Sequence, residues 1–138
     1  MFKPCRVVTK VERSSRLKIM RTDNTILVIT KAFALRIIKL YQYLREEKSE
    51  YVMSKQILRS GTSIGANAYE SINAESALDF IHKMGIALKE ANETQYWLEL
   101  LHESNYINET QFNSIYPECA RIVGTLVNII RTKKEGLQ

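Results

Sequence analysis

"SGTSIGAN", residues 60–67, is the stretch whose reading decides the fold of this chain. It is small and hydroxylated, with Gly61 and Gly65 four residues apart, in the manner of a phosphate-cradling loop. Such a loop needs glycine, four residues, then Gly-Lys-Ser/Thr, so that backbone amides and a lysine meet the phosphates. Here no lysine follows either glycine, no apolar strand precedes them, and Met53 to Arg59 upstream reads as helix. The stretch is therefore expected to be helical. Glycine inside a helix costs about 0.5–1 kcal/mol relative to alanine, so two of them one turn apart imply a close helix crossing. Gly85 and Ala87 on the next helix are the expected facing contact.

Outward from that stretch the apolar spacing is regular. Ile57, Gly61, Ile64, Ala68 and Ser71 repeat in steps of three and four, and so do Phe80, Met84, Ala87, Ala91, Thr94, Leu98 and Leu101. Upstream the same rhythm runs through Ile26, Ile29, Phe33, Ile37, Leu40 and Leu44; downstream it runs through Phe112, Ile115, Cys119, Ile122, Leu126 and Ile129. That period places each set on one face of a helix. Asp23 or Asn24 is the expected cap of the first helix. Ser76 with Asp79 caps the third, and Asn108 with Gln111 the fourth. Short connectors between four such helices predict an all-α protein, an antiparallel up-down four-helix bundle. Pro117 conflicts with its surroundings, since it removes a backbone donor and crowds the preceding turn. Either the fourth helix kinks there, as the unbroken seam favours, or a short helical turn precedes a main helix near Pro117.

Composition agrees. The chain has 138 residues with only 5 Gly and 2 Pro, enough for one domain with a real core. Cys5 and Cys119 lack metal-ligand spacing, and the N-terminus lacks the apolar stretch of a signal peptide. A soluble protein of the reducing cytoplasm, with no membrane partner, is the expectation. Of 20 basic and 15 acidic side chains, seven and two fall in residues 1–23, which leaves 13 of each sign beyond. The whole excess of +5 thus sits in Lys3, Arg6, Lys10, Arg13, Arg16, Lys18 and Arg21. Residues 1–23 read as a basic N-terminal arm and residues 24–138 as the bundle domain. Such arms often contact nucleic acid; the alternatives are a solvated tail, or an upstream extension if translation begins at Met20.

Polar residues also recur at helical spacing. Ser60, Ser63, Asn67 and Glu70 form a stripe on the second helix, and Lys83, Ile86, Glu90, Glu93 and Trp97 form a comparable line on the third. Pairing of the two would let Ser63, Asn67 and Glu90 share a partly buried hydrogen-bonded network that fixes register. Trp97 argues for cover, because a large ring usually finds it in a core or at an interface. Neither stripe supports catalysis. Asp79-Phe80-Ile81-His82 and Glu99-Leu100-Leu101-His102 have the Glu-x-x-His look of di-iron bundles. They lie on one helix about 30 Å apart and cannot share a site. Neither histidine has an arginine four to six residues away, as in some helical ribonucleases, and Cys119 sits on an apolar seam. No metal, cofactor or enzymatic activity is expected.

"QILRSGTSIGANAYES" followed by "AESALDFIHKMGIALKEANETQYWLELL" resembles the small bacterial four-helix bundle proteins first noticed as reading frames within intervening sequences of 23S ribosomal RNA genes. The likeness spans about residues 24–130. Its motif positions here are Ser60, Gly61, Ser63, Ile64, Gly65, Asn67, Ser76, Phe80, Lys89, Glu90, Glu93, Thr94 and Trp97. The resemblance implies an up-down bundle that assembles with itself into a ring, typically a pentamer. It also implies kinship with the accessory protein of diversity-generating retroelements, a basic bundle that binds nucleic acid and a reverse transcriptase. The family has no established enzymatic activity, so Ser60, Gly61, Ser63, Gly65, Asn67, Glu90, Glu93 and Trp97 read as helix-crossing and assembly residues. That accessory protein is basic over its body, whereas residues 24–138 here are neutral, which moves the nucleic-acid contact to the arm. Two functions remain: a ring-forming RNA- or DNA-binding accessory protein, and an oligomeric protein–protein scaffold.

Overall fold

The computed structural model describes the backbone of residues 10–137 and the side chains of residues 25–137. Its described residues form four helices and no strand: α1 (Lys10–Glu46), α2 (Met53–Ser71), α3 (Ala77–Glu103) and α4 (Glu109–Glu135). Helix α1 packs on α2, α2 on α3, α3 on α4, and α4 closes back on α1; neither α1 with α3 nor α2 with α4 makes a contact of that kind among the described residues. The result is a four-helix bundle around one core.

The seams account for that core. Every member of the α2 set is buried, as are Met84 to Leu101 on α3 and Ile115 to Ile129 on α4. Phe80 and Phe112, at the seam ends, are half-buried against the cluster. On α1 the pattern differs in detail. Ile26, Phe33, Ile37 and Leu44 are buried, but Ile29 and Leu40 are only half-buried, and Thr30 takes a core position. Its hydroxyl donates to the Ile26 carbonyl at 2.6 Å, so the polar atom is satisfied within its own helix.

Local chemistry sets most helix ends. Ser76 caps α3 by accepting from the Asp79 N–H at 3.0 Å, while the Asp79 carboxylate accepts from the Glu75 N–H at 3.2 Å. Asn108 and Gln111 form a complete capping box on α4, each side chain accepting from the other's backbone at 2.8 Å. After α1 and α3, Ser49 and Asn105 adopt positive φ (51° and 66°), a left-handed turn that stops a helix and frees the chain to reverse.

One expectation needs correction, and the alternatives at Pro117 are decided. Neither Asp23 nor Asn24 caps α1, because the helix begins at Lys10 and runs through both. At 37 residues α1 is also longer than the other three helices. At Pro117 the chain does not break: α4 is a single helix with the proline inside it. Asn113, whose carbonyl loses its partner to the proline, is exposed, as is Pro117 itself, so water can satisfy the freed oxygen.

Candidate functional site

The SGTSIGAN stretch lies in α2, and its glycines do mark a close helix approach, but against α1 rather than α3. A Cβ on Gly61 would stand 2.8 Å from two carbons of the Ile37 side chain, and one on Gly65 would stand 3.3 Å from Thr30. A Cβ on Gly85, expected to face them, would meet nothing within 4 Å, and Ala87 is buried in the general core. The reason is angular. Gly61 and Gly65 lie on the α1-facing side of α2, whereas Ser60, one residue before, faces α3.

On that other side the α2–α3 contact is polar, though not with the expected members. Ser63 donates to the Arg59 carbonyl at 2.6 Å and Asn67 donates to the Ser63 carbonyl at 2.8 Å, so both turn back onto their own helix. The predicted Ser63–Asn67–Glu90 network does not form. Instead the buried Thr94 and Ser60 hydroxyls share a hydrogen bond at 2.9 Å across the two helices, while Thr94 Oγ1 donates its own proton to the Glu90 carbonyl at 2.7 Å. Next to it, the Arg59 guanidinium reaches Glu90 at 3.1 Å and also pairs with Glu93. Glu93 accepts in turn from the Trp97 indole N–H at 3.3 Å, and Trp97 meets the Tyr96 ring edge-on at 5.4 Å. Lys83 and Glu70 pair at 3.1 Å about three turns further along α2. Trp97 is half-buried. Arg59 and Thr94 thus organise this face; Arg59 stood outside the expected set because its role needs two carboxylates from another helix.

A second cross-helix clip joins α1 to α4. Arg36 donates to the Ser114 carbonyl at 3.0 Å, to the Ser114 hydroxyl at 2.8 Å and to Glu118 at 2.7 Å. Nothing in the pattern of α1 alone marked it.

Of the basic residues, Lys3 and Arg6 lie outside the described residues. Lys10, Arg13, Arg16, Lys18 and Arg21 stand on the helical backbone of α1.

Several titratable groups have structural partners among the described residues. Cys119 is buried; burial pushes its thiol up to about 12, and Sγ donates to the Ala91 carbonyl at 3.4 Å. His102 stacks on Phe112 at 4.3 Å, and Tyr116 donates to Glu99 at 2.8 Å, which holds the phenol above its ordinary value. Burial works against the Glu50 carboxylate, yet N–H groups of Met53, Ser54 and Val52 at the start of α2 bring it below its ordinary value. Among the described residues no three His, Cys, Asp or Glu side chains are grouped to hold a metal. No described helix is long and apolar enough to cross a membrane.

Comparison with known proteins follows the same lines. Among curated proteins none matches. A crystal structure of a protein of unknown function from the S23 ribosomal protein family of Bacteroides thetaiotaomicron is similar, with 53% sequence identity and a TM-score of 0.78; the match covers 80% of this chain and 98% of that one. The family model of the 23S rRNA-intervening sequence protein matches residues 22–128, a span that carries the four seams up to Leu126. This chain belongs to the 23S rRNA-intervening sequence protein family.

Proposed function

We propose that this chain is a non-enzymatic accessory protein that assembles into a ring and binds RNA or DNA through its basic N-terminal segment. The observation that carries the reading is the separation of charge. All of the net +5 lies in residues 1–23, while the rest of the chain carries 13 charges of each sign. Helix α1 supports it further, since Lys10, Arg13, Arg16, Lys18 and Arg21 share an unbroken helical backbone with the bundle. Cations on one helix hold a fixed spacing, whereas cations on a loose tail do not. The opposed numbering at successive interfaces supports the up-down antiparallel arrangement: Gly61 meets Ile37 and Gly65 meets Thr30; Arg59 meets Glu90 and Glu70 meets Lys83. A pentamer in the cytoplasm, with a reverse transcriptase as a partner, is the form that the family likeness suggests. The scaffold reading, without nucleic acid, is favoured by the neutral bundle and its exposed apolar side chains.

The test is binding of labelled single-stranded RNA and DNA by fluorescence anisotropy across a salt series, with full-length protein and with residues 1–22 deleted. Counterion release gives a log–log slope of about −0.7 per phosphate neutralised on a single strand, so five to seven contacts predict about −3.5 to −5. The truncation, which also removes the first part of α1, should lose binding and keep the bundle's four helices and the oligomer's assembly state. Equal affinity and slope in both proteins would move the site onto the bundle. No salt-dependent binding by the full-length chain would leave the scaffold reading.

A further inference from the structure

Between α1 and α2 lies a groove of about 480 Å³, inside the range of about 300–1,000 Å³ that ligand sites occupy. Small residues line it, Ala34 from α1 with Gly65 and Ala66 from α2. Beside them stand Val28 and the Tyr69 ring, 60% and 66% exposed. Lys31 supplies the one charge in the lining, which holds no carboxylate. It is exposed and forms no ion pair among the described residues. Its neighbours one turn away, Leu27, Val28, Ala34 and Leu35, are all apolar. The groove is thus built for a flat apolar group that carries negative charge at its edge.

The register of α1 says how long that ligand is. Positions 10, 13, 17, 21, 24, 28 and 31 advance by three and four residues, so they share one side of the helix. Of the five basic positions in the first part of α1, Lys10, Arg13 and Arg21 therefore fall on the side that leads to Val28 and Lys31; Arg16 and Lys18 fall elsewhere. From Lys10 to Lys31 the helix rises about 32 Å. A line of cationic positions ends at an apolar groove with an exposed ring. A single-stranded nucleic acid matches both parts, with phosphates along its length and a base on every unit whose π-face can stack on an aromatic side chain. A duplex matches only the first part, because its bases stay inside the stack unless an unstacking cost is met.

We infer that the α1–α2 groove seats an unstacked base of a single-stranded nucleic acid against Tyr69, with Lys31 on the adjoining phosphate and the strand continuing along Lys10, Arg13 and Arg21. The inference rests on the nucleic-acid reading above and names its ligand class, single strands. It also divides the binding energy in two. The cations release counterions, so their share falls with salt. The ring contact is uncharged, so its share is the same at every salt concentration and tolerates any base.

The experiment measures affinity of the full-length protein across a salt series for three probes of equal length: a single-stranded oligodeoxynucleotide, the same strand with every base removed, and its duplex. Wild type should bind the base-bearing strand about 5- to 150-fold more tightly than the abasic one, the range for one stacked base. Tyr69→Ala should bring the two strands level, leave the salt slope unchanged and leave duplex affinity unchanged, whereas Tyr69→Phe should behave as wild type. Lys31→Gln should instead make the slope shallower by about 0.7. Tyr69 is exposed, so circular dichroism should show the helices intact. If Tyr69→Ala disturbs them, Ala66→Glu, which puts an anion into the groove from another exposed position, should weaken single-strand binding. Equal affinity of wild type for the base-bearing and abasic strands would overturn the inference. So would a Tyr69→Ala protein that binds as wild type, or one whose oligomer mass falls while its affinity holds, which would make the groove a contact between copies. Loss of binding on deletion of residues 1–22 with none in Tyr69→Ala would keep the basic segment and discard the groove; the reverse result would keep the groove and discard the segment. A wild-type protein that binds no probe would remove both.

Discussion

Gly61 and Ile37 approach so closely that a methyl group on the glycine would lie 2.8 Å from both Cγ atoms of the isoleucine. Ile37 is fully buried, and its β-branched side chain is stiff, so it cannot swing aside. The α1–α2 spacing therefore depends on the missing side chain at position 61. At Gly65 the corresponding clearance to Thr30 is 3.3 Å, tight but open to a small adjustment.

Gly61→Ala should therefore destabilise the bundle. Overpacking costs about 1–3 kcal/mol, which outweighs the gain of about 0.8–1.0 kcal/mol from replacing a helical glycine. Gly65→Ala should change stability by less than about 1 kcal/mol, because its two effects nearly offset. Urea unfolding measures both. Ile37→Ala alone should cost about 2–5 kcal/mol because the side chain is fully buried. The double variant should cost less than the sum of the two single changes, a coupling of about 1 kcal/mol between residues in contact. A Gly61→Ala protein as stable as wild type would show that the helices can part freely.

Glu50 supplies a pH-dependent anchor for α2. Its carboxylate accepts from three backbone N–H groups, those of Val52, Met53 and Ser54, at 2.9, 2.8 and 2.6 Å. Burial opposes the charge and these bonds favour it, with the balance lowering the pKa below the ordinary 4.5. A lowered folded-state pKa stabilises fully above the unfolded value and loses that contribution as pH falls through the folded value. Glu50→Ala should thus cost about 1–2 kcal/mol at pH 7, as lost helix caps do. The gap from wild type should shrink as pH drops below about 4. Denaturation at the two pH values gives the answer, and a gap that stays constant would assign the loss to packing alone.

Across α2 and α3, the buried hydroxyl pair should matter more than the ion cluster beside it. Ser60 and Thr94 are both fully buried, whereas the Arg59 side chain is half exposed. Thr94→Val leaves the Ser60 hydroxyl without its cross-helix partner, with only the distant Ile57 carbonyl at 3.5 Å in reach, and should cost about 1–3 kcal/mol. Ser60→Ala combined with Thr94→Val should cost less than the sum of the single changes. Arg59→Ala should cost about 0.2–1 kcal/mol, and less in high salt. Melting curves at low and high salt would show the reverse ranking if the ion cluster held the helices together.

Cys119 should be chemically silent in the folded protein. Its thiol, pushed up to about 12 by burial, is almost wholly protonated at neutral pH, and the thiolate is the reactive form. In a Cys5→Ala background, thiol reagents should label Cys119 only as fast as the chain opens. The labelling rate should rise with urea in step with unfolding. Rapid labelling without denaturant would place the thiol within reach of solvent.

The core and two of the helix starts were legible in the sequence because the forces that set them are local. Spacing of three and four residues fixes which side of a helix is apolar, and the seam positions on α2, α3 and α4 are accordingly buried or half-buried. Ser76 and Asn108 satisfy donors only three residues away, so their roles need no knowledge of the rest of the fold. The start of α1 was misread for the complementary reason, since Asp23 and Asn24 can cap a helix but do not have to. What tertiary structure alone decided was the neighbour on each face. Glycine spacing announced a close approach without naming Ile37 and Thr30 as the residues approached. Ser63 and Asn67 could bond across or back, and the local carbonyls took them. Arg36 and Arg59 became cross-helix clips only because residues 78 and 31 positions away carry their acceptors. A periodic pattern specifies an angle around one helix axis; the partner at that angle is set by how four helices pack together.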